Sequence, residues 1–334
     1  QYSEYDGVDV MSGDPASLRA VLSSGVYRTV LVHSMYAPLW TILKDYLDHV
    51  EVVAWMHGAE LHRWWLNSEN PSMDEPRPKQ IEQIRADPRF AHWCDVLREP
   101  HPNLRFVVVS QTFLDQMNED LSVFGVRFPD EQTTVVYNPV SPERFSYVPK
   151  PAEQRKTLLS IRPFWQGKYA NDLTVAAVAE LASEPWFEEL DILIAGDGGD
   201  FDEIVAPVRG LPNVKLQRRF FTQPEIAALH KEYGVALVPT RADSQGVSRD
   251  EAMSSGLVPI TTAVDAVPEF VSDVEGYVVP GEDAHAMADA VRDLYYHPEK
   301  FLAKSAAAAE RVRRTVSDDV IVPQEIATFR TIDS

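Results

Sequence analysis

Short continuous apolar runs, each followed by a stretch with helical spacing, recur along the chain and limit its fold more than any other feature. Thr29–His33 (TVLVH), Glu51–His57 (EVVAWMH), Arg105–Ser110 (RFVVVS) and Thr133–Asn138 (TTVVYN) are apolar without alternation, as strands covered on both faces must be. A second series comprises Thr157–Arg162 (TLLSIR), Leu190–Gly196 (LDILIAG), Asn213–Leu216 (NVKL), Val235–Pro239 (VALVP) and Val258–Thr262 (VPITT). Helical spacing fills intervals such as Asn171–Ala182 and Pro224–Tyr233. Strand and helix in alternation predict an α/β protein with parallel sheets wrapped by helices, here in two copies.

At 334 residues the chain is long enough for two such domains, each with a sizeable core. Their boundary is expected in the Pro-rich stretch "YNPVSPERFSYVPKPAEQRK", where prolines interrupt both helix and ladder. "NSENPSMDEPRPKQ", Asn67–Gln80, is a polar excursion in the first half, either a mobile loop over a cleft, the favoured reading, or merely a surface insertion. The formal charge of -20 and pI near 4.8 oppose nucleic acid and anionic lipid as partners, without forbidding one basic pocket. Cys94 is the only cysteine, so neither an internal disulfide nor a thiol metal pair is available. With no long apolar run and no signal segment, these points fit a cytoplasmic protein. The chain opens on Gln1 rather than methionine and reads as a piece of something longer.

In facing doubly wound domains, ligands bind beyond the C-terminal ends of the strands. The chemistry should therefore follow the apolar runs. "SIRPFWQGKYAND" places Arg162 and Lys168 on one such loop, where two cations can clamp a diphosphate; two unrelated surface charges are the bland alternative. "IAGDGGDF", with Gly196 and Asp197, allows close backbone approach to a ligand but lacks the spacing of a dinucleotide fingerprint, and in isolation a plain turn before a helix explains it better. In "RADSQGVSRDEAMSSGLVP", Gly246 precedes a helix expected to begin near Ser248 and stop at Gly256. The first amides of that helix, around Gly246, Val247 and Ser248, suit a phosphate. Asp243 and Glu251, the latter expected in the first helical turn, would repel a phosphate and are better suited to accept hydrogen bonds from hydroxyls. A diphosphate between two hydroxyl-bearing ends is a nucleotide sugar.

These segments resemble those of glycosyltransferase family 4, retaining enzymes of the two-domain GT-B fold. The family signature is an acid, seven residues and a glutamate followed by Ala-Met-x-x-Gly, as in Asp243 through Glu251-Ala252-Met253-Ser254-Ser255-Gly256. "LLSIRPFWQGK", "LIAGDGGD", the linker "VVYNPVSPERF" and "AVPEFV" are similar to further family segments, in order, over roughly residues 133–293. The first half resembles the family through "VVAWMHGAE" and "FVVVSQTFLDQM", and the end through a C-terminal helix that crosses back to the first domain. The chain departs from the pattern in two places. Asp243 is one methylene shorter than the usual glutamate, and the first half, with about five strands, lacks the family's first strand and glycine-rich loop, so the N-terminal domain reads as truncated.

The resemblance implies transfer of a sugar from a UDP- or GDP-type donor to an acceptor hydroxyl on a glycan or lipid-linked glycan, with retention and without a metal or other cofactor. Arg162 and Lys168 would take up leaving-group charge, Glu251 would hold the ribose, Asp243 the donor sugar, His57 would face the donor from the opposite domain, and Glu269 would support the nucleotide side. Residues 1–148 would form the acceptor-side domain, 149–310 the donor domain and 311–334 the crossing helix. Glu60, His62, Trp64 and Trp65, on the loop after the second run, are acceptor-side candidates; tryptophans can stack on a sugar, though at adjacent positions at least one of the two reads as core. Bacterial surface glycan synthesis follows by analogy, with peripheral placement on the inner face of the plasma membrane. The competing reading is a non-catalytic GT-B binding domain within a larger polysaccharide-assembly protein. An epimerase does not explain the acid-x7-Glu pattern, a phosphorylase needs a cofactor lysine context not seen, and a dehydrogenase has the wrong glycine spacing.

Overall fold

The computed structural model describes residues 2–5, 7–61, 77–165 and 167–329. The N-terminal half begins with an antiparallel hairpin, β1 (Tyr2–Tyr5) and β2 (Val8–Met11), that forms its own two-stranded sheet. A parallel sheet follows in the order β3 (Thr29–His33), β4 (Glu51–Met56), β5 (Leu104–Val108) and β6 (Thr133–Val135). Its helices are α1 (Pro15–Ser23), α2 (Ala37–Leu43), α3 (Arg77–Ala86), α4 (Pro88–Arg98) and α5 (Gln111–Leu121).

The C-terminal half contains β7 (Thr157–Ile161), α6 (Asn171–Leu181), β8 (Asp191–Ala195), α7 (Phe201–Ile204), β9 (Val214–Gln217) and α8 (Gln223–Glu232). It continues with β10 (Val235–Leu237), α9 (Val247–Ser254), β11 (Val258–Thr262), α10 (Val267–Phe270), β12 (Tyr277–Val279), α11 (Ala284–Tyr296), α12 (Pro298–Thr315) and α13 (Asp318–Phe329). The sheet is parallel, in the order β12-β11-β10-β7-β8-β9. From β7 the chain steps outward through β8 and β9, then returns to β10 on the other side. That reversal opens a crevice beyond the ends of β7 and β10, where ligands of such sheets bind.

Continuous apolar strands demand cover on both faces, and the inner strands have it, whereas the edge strand β3 leaves Leu31 45% exposed. Every residue of β4 is buried. One face of the first sheet packs Phe106 against Trp93 of α4 and Phe128. The other face, with Val53, Trp55, Val107 and Val136, is covered by Ile321 of α13, so the end of the chain returns to the first sheet. The linker fixes that return: Val140 N–H donates to Val316 O at 2.8 Å, and Asp318 N–H to Val140 O at 3.1 Å. Among the described residues, no helix is long and apolar enough to cross a membrane.

The strands end earlier than the apolar runs do. His57, Ser110, Asn138, Arg162, Gly196 and Pro239, read as strand residues, all lie beyond their strands. Hydropathy follows burial, and these positions are partly or fully buried because the chain turns there into the cleft rather than into water. The three-residue β12 and the hairpin β1–β2 have no counterpart in the sequence reading: β12 is too short for a periodicity, and the hairpin leaves Val8, Val10 and Met11 exposed. Of the polar excursion, residues 67–76 lie outside the described residues, and Arg77–Gln80 begin α3.

Candidate active site

The loop after β7 carries the first charges. Arg162 is 5% exposed, and its Nη1 donates to Ser248 Oγ at 2.8 Å. Its Nε is buried without an acceptor among the described residues. Burial lowers the guanidinium's affinity for its proton and nearby Asp243 opposes that effect. A buried cation with an unmatched donor is suited to an anion. Lys168 sits on a single helical turn, Gly167–Tyr169, and its ammonium also loses proton affinity through burial, again opposed by Asp243. The Tyr169 ring lies 5.0 Å from Arg162 Cζ and 5.1 Å from Lys168 Nζ, so both cations contact one aromatic ring.

Gly196 closes the same region from below. Its φ of +143° lies outside the range L residues favour, and a Cβ there would stand 1.8 Å from Arg162 O. Asp197 braces its own turn, where Oδ1 accepts from Gly198 N–H at 2.8 Å and lies 3.5 Å from Arg218 Nε.

Gly246, at φ +96°, is the N-cap of α9. The first intrahelical bonds run from Arg249 and Asp250 to Gly246 O, leaving the amides of Val247 and Ser248 at the positive end of the helix beside Arg162. The helix starts one residue before its expected beginning, so Glu251 is the fifth helical residue, just past the first turn. Its carboxylate has no hydrogen-bond partner among the described residues, and burial together with adjacent Asp250 pushes its pKa up to about 7. With Ser248 and His230 it lines a small cavity of about 40 Å³. Asp243 Oδ1 accepts from Gln245 N–H at 3.2 Å.

Sequence reasoning missed the groups that hold this loop. Arg249 and Asp250, both at most 2% exposed, form an ion pair at 2.7 Å, and Arg249 Nη2 also donates to Gln245 O at 2.6 Å. Gln245 Nε2 reaches Asp250 Oδ2 at 3.2 Å and Asn138 O at 3.0 Å, while its Oε1 accepts from Asn138 N–H and Nδ2 at 2.6 and 3.0 Å. The interdomain linker and the loop of the signature are thereby one hydrogen-bonded unit. Charged neighbours Arg249 and Asp250 inside a helix otherwise read as a solvated face; only the small residues around them signal that this helix is buried.

His57 faces the loop from the first sheet, and its carbonyl accepts from Ser244 Oγ at 2.7 Å. Its ring is not free: Nε2 lies 2.7 Å from Nδ1 of His33, at the end of neighbouring β3, whose ring in turn stacks on Trp55. Burial lowers the pKa of both histidines. Two residues fall elsewhere than expected. Glu60, read as acceptor-side, is 2% exposed and turned inward, its Oε2 accepting from His57 and Gly58 N–H at 3.1 and 2.9 Å, because the turn after β4 leaves those amides unpaired. Glu269, read as nucleotide-side, spans the cleft: its two oxygens accept from Gln111 and Thr112 N–H, each at 2.9 Å, where the start of α5 attracts a carboxylate. His62, Trp64 and Trp65 lie outside the described residues.

Two parallel α/β domains facing a cleft, with a cationic helix start on one side and a histidine on the other, define the GT-B class. Residues 155–297 of the chain match the family model for glycosyl transferases group 1. Among curated proteins it is similar to N-acetyl-alpha-D-glucosaminyl L-malate synthase of Bacillus anthracis, 27% identical over 177 residues, 52% of this chain; the chain spans 45% of that protein's length. Among solved structures it is similar to the sucrose-phosphate synthase from Thermosynechococcus elongatus, with TM-score 0.71 and 18% identity over 95% of this chain and 76% of that one. It is also similar to Anabaena HepE in complex with UDP-glucose, with TM-score 0.68 and 14% identity over 94% and 81% of the two chains. At these identities the structural likenesses concern the fold.

Proposed function

We propose that the chain is a retaining glycosyltransferase that moves a sugar from a nucleoside diphosphate donor to an acceptor hydroxyl without a metal. Residues 149–310 hold the donor, 1–148 face the acceptor, and 311–334 cross back. One observation carries the reading: at the start of α9, buried Arg162 meets Ser248, with Lys168 beside it and the unpartnered carboxylate of Glu251 one turn along. The three parts match the chemical sequence of a nucleotide sugar. Arg162, Lys168 and the amides of Val247 and Ser248 receive the diphosphate, and Glu251 accepts from the ribose hydroxyls. Asp243 takes the donor sugar from the side of His57.

As the bond from the anomeric carbon to the diphosphate breaks, charge grows on the leaving oxygen, and fixed positive groups stabilise it there. Retention places the incoming hydroxyl on the face the diphosphate leaves, so the departing phosphate oxygen is the base within reach of the acceptor's proton. HepE, solved with UDP-glucose, supports UDP as the first donor base to try. Glycan synthesis at a bacterial surface is the setting the family analogy favours.

Calorimetry and thermal shift with UDP, UDP-glucose, GDP and GDP-mannose test the reading, alongside hydrolysis assays and the variants Glu251→Ala and Lys168→Ala. Binding of at least one donor by the wild type, lost in Glu251→Ala, is expected. A wild type that binds none refutes the assignment, and a product of inverted anomeric configuration refutes the mechanism while leaving the donor site standing.

A further inference from the structure

Lys168 is asked to hold a diphosphate, yet it stands on a turn of three residues, Gly167–Tyr169, which has little internal means of keeping its position. Its hold comes from elsewhere. Lys168 O accepts from Arg241 N–H at 2.8 Å and from Thr240 Oγ1 at 2.9 Å. Gly167 O accepts from Arg241 Nη1 at 2.8 Å, in addition to Ala170 N–H. Two of the turn's three carbonyls are therefore tied to the segment that follows β10.

The Arg241 side chain is itself fixed. Asp172, in the first turn of α6, takes Nη1 and Nη2 at 2.9 and 2.7 Å, and Glu282, between β12 and α11, takes Nε and Nη2 at 2.6 and 2.8 Å. The side chain is 10% exposed, and the two carboxylates outweigh the burial that would otherwise weaken the cation's hold on its proton. A planar guanidinium gives paired bonds to two carboxylates and one more to a carbonyl; an ammonium, with three N–H donors, cannot make all five.

We propose that Arg241 is a positioning residue for the diphosphate: it fixes the backbone of the Lys168 turn and so places the Lys168 ammonium beside Arg162 without itself touching the donor. The proposal rests on the donor reading given above. It makes Arg241 matter to ligands that carry a diphosphate and not to the nucleoside alone.

The test compares UDP with uridine by calorimetry on wild type, Arg241→Met, Arg241→Lys and the milder Thr240→Val. Arg241→Met is expected to weaken UDP about tenfold and leave uridine unchanged, with partial recovery in Arg241→Lys and a smaller loss in Thr240→Val. Because the effect runs through Lys168, adding Arg241→Met to Lys168→Ala should cost less than about twofold more. Equal weakening of UDP and uridine, or additive losses in the double variant, would overturn the proposal.

Hydrogen exchange at the Gly167–Tyr169 amides gives a readout that needs no nucleotide. Exchange should speed up in Arg241→Met and, should that variant fold poorly, in Thr240→Val. Unchanged exchange in both refutes the positioning role even if the wild type binds no nucleotide, an outcome that by itself refutes only the donor reading.

Discussion

On the C-terminal face of the cleft, Asp243, Gln245, Ser248, Asp250 and Glu251 all come from one loop and the helix it enters, whereas on the opposite face His33, at the end of β3, meets His57, just past β4, 24 positions away. The first face is fixed by its own hydrogen bonds and a buried ion pair. The second reaches the site through a ring-to-ring bond, a backbone carbonyl and a helix start. Damage to the donor face should therefore be large and local, while damage to the other face should act through the closure of the two domains.

The strongest way to break the donor face is to remove one half of its buried pair. Asp250→Ala leaves Arg249, 2% exposed, without its carboxylate partner, and losing one member of a buried pair costs about 3–5 kcal/mol. Urea denaturation should show that loss; a change below about 1 kcal/mol would mean that the pair is no more than a surface-like contact. Next in size is Lys168→Ala. Withdrawing a fixed positive group from a leaving diphosphate should lower kcat by about 10²–10³, and steady-state turnover with the donor that binds reads it. An unchanged kcat would leave Arg162 and the amides of α9 as sufficient.

The same contrast explains what the sequence can reveal. The strands of the two parallel sheets are legible, β12 excepted, because buried parallel strands are continuous apolar runs, and the donor face because its spacing is local: Arg162 with Lys168, and Asp243 through Glu251, each fall within one stretch of chain. His33 carries no signal, because its partnership with His57 exists only once β3 and β4 are neighbours. For Glu60 and Glu269 the chain offers only a place after a strand, and position along the chain does not say which way a carboxylate turns. Arg241 is silent for a similar reason, since Asp172 and Glu282 approach it from distant segments.

A smaller effect sharpens the donor face through pH. Glu251 has a folded pKa of about 7, raised from its ordinary 4.5 by burial and by Asp250. Because the raised value favours the neutral form, the unliganded protein gains from Glu251 below its unfolded pKa and loses that gain as pH rises through about 7. On the proposed donor reading, ribose hydroxyls need the Glu251 carboxylate, so donor affinity runs the other way and falls as pH drops through the same region. Between pH 8 and pH 6, UDP-glucose should bind about tenfold more weakly to the wild type, and Glu251→Gln should bind weakly with no such slope. UDP-glucose suits this titration, since its diphosphate has no group that ionises near neutrality. A slope that persists in Glu251→Gln would assign the titration to another residue.

Glu269 tests whether the two faces are separate at all. It belongs to the donor half by chain position, yet both its oxygens serve the first amides of α5, in the other half. Gln116 of α5 adds a second bond across the same gap, Nε2 to Asp265 Oδ1 at 2.9 Å. Ser110 already caps α5, its Oγ accepting from Phe113 N–H at 3.2 Å, so the helix does not need Glu269 in order to form. What Glu269 adds is a carboxylate at the positive end of that helix, worth about 0.3–1 kcal/mol where partly exposed. Glu269→Ala should therefore leave the melting of the N-terminal half nearly unchanged and shift the domains toward a more open arrangement. Small-angle scattering of the unliganded protein would show a larger radius of gyration, and the difference should shrink when a donor bridges the faces. If the radius is unchanged while stability falls, Glu269 works as an ordinary helix cap, and closure depends on Asn138, Gln245, Ser244 and His57 instead.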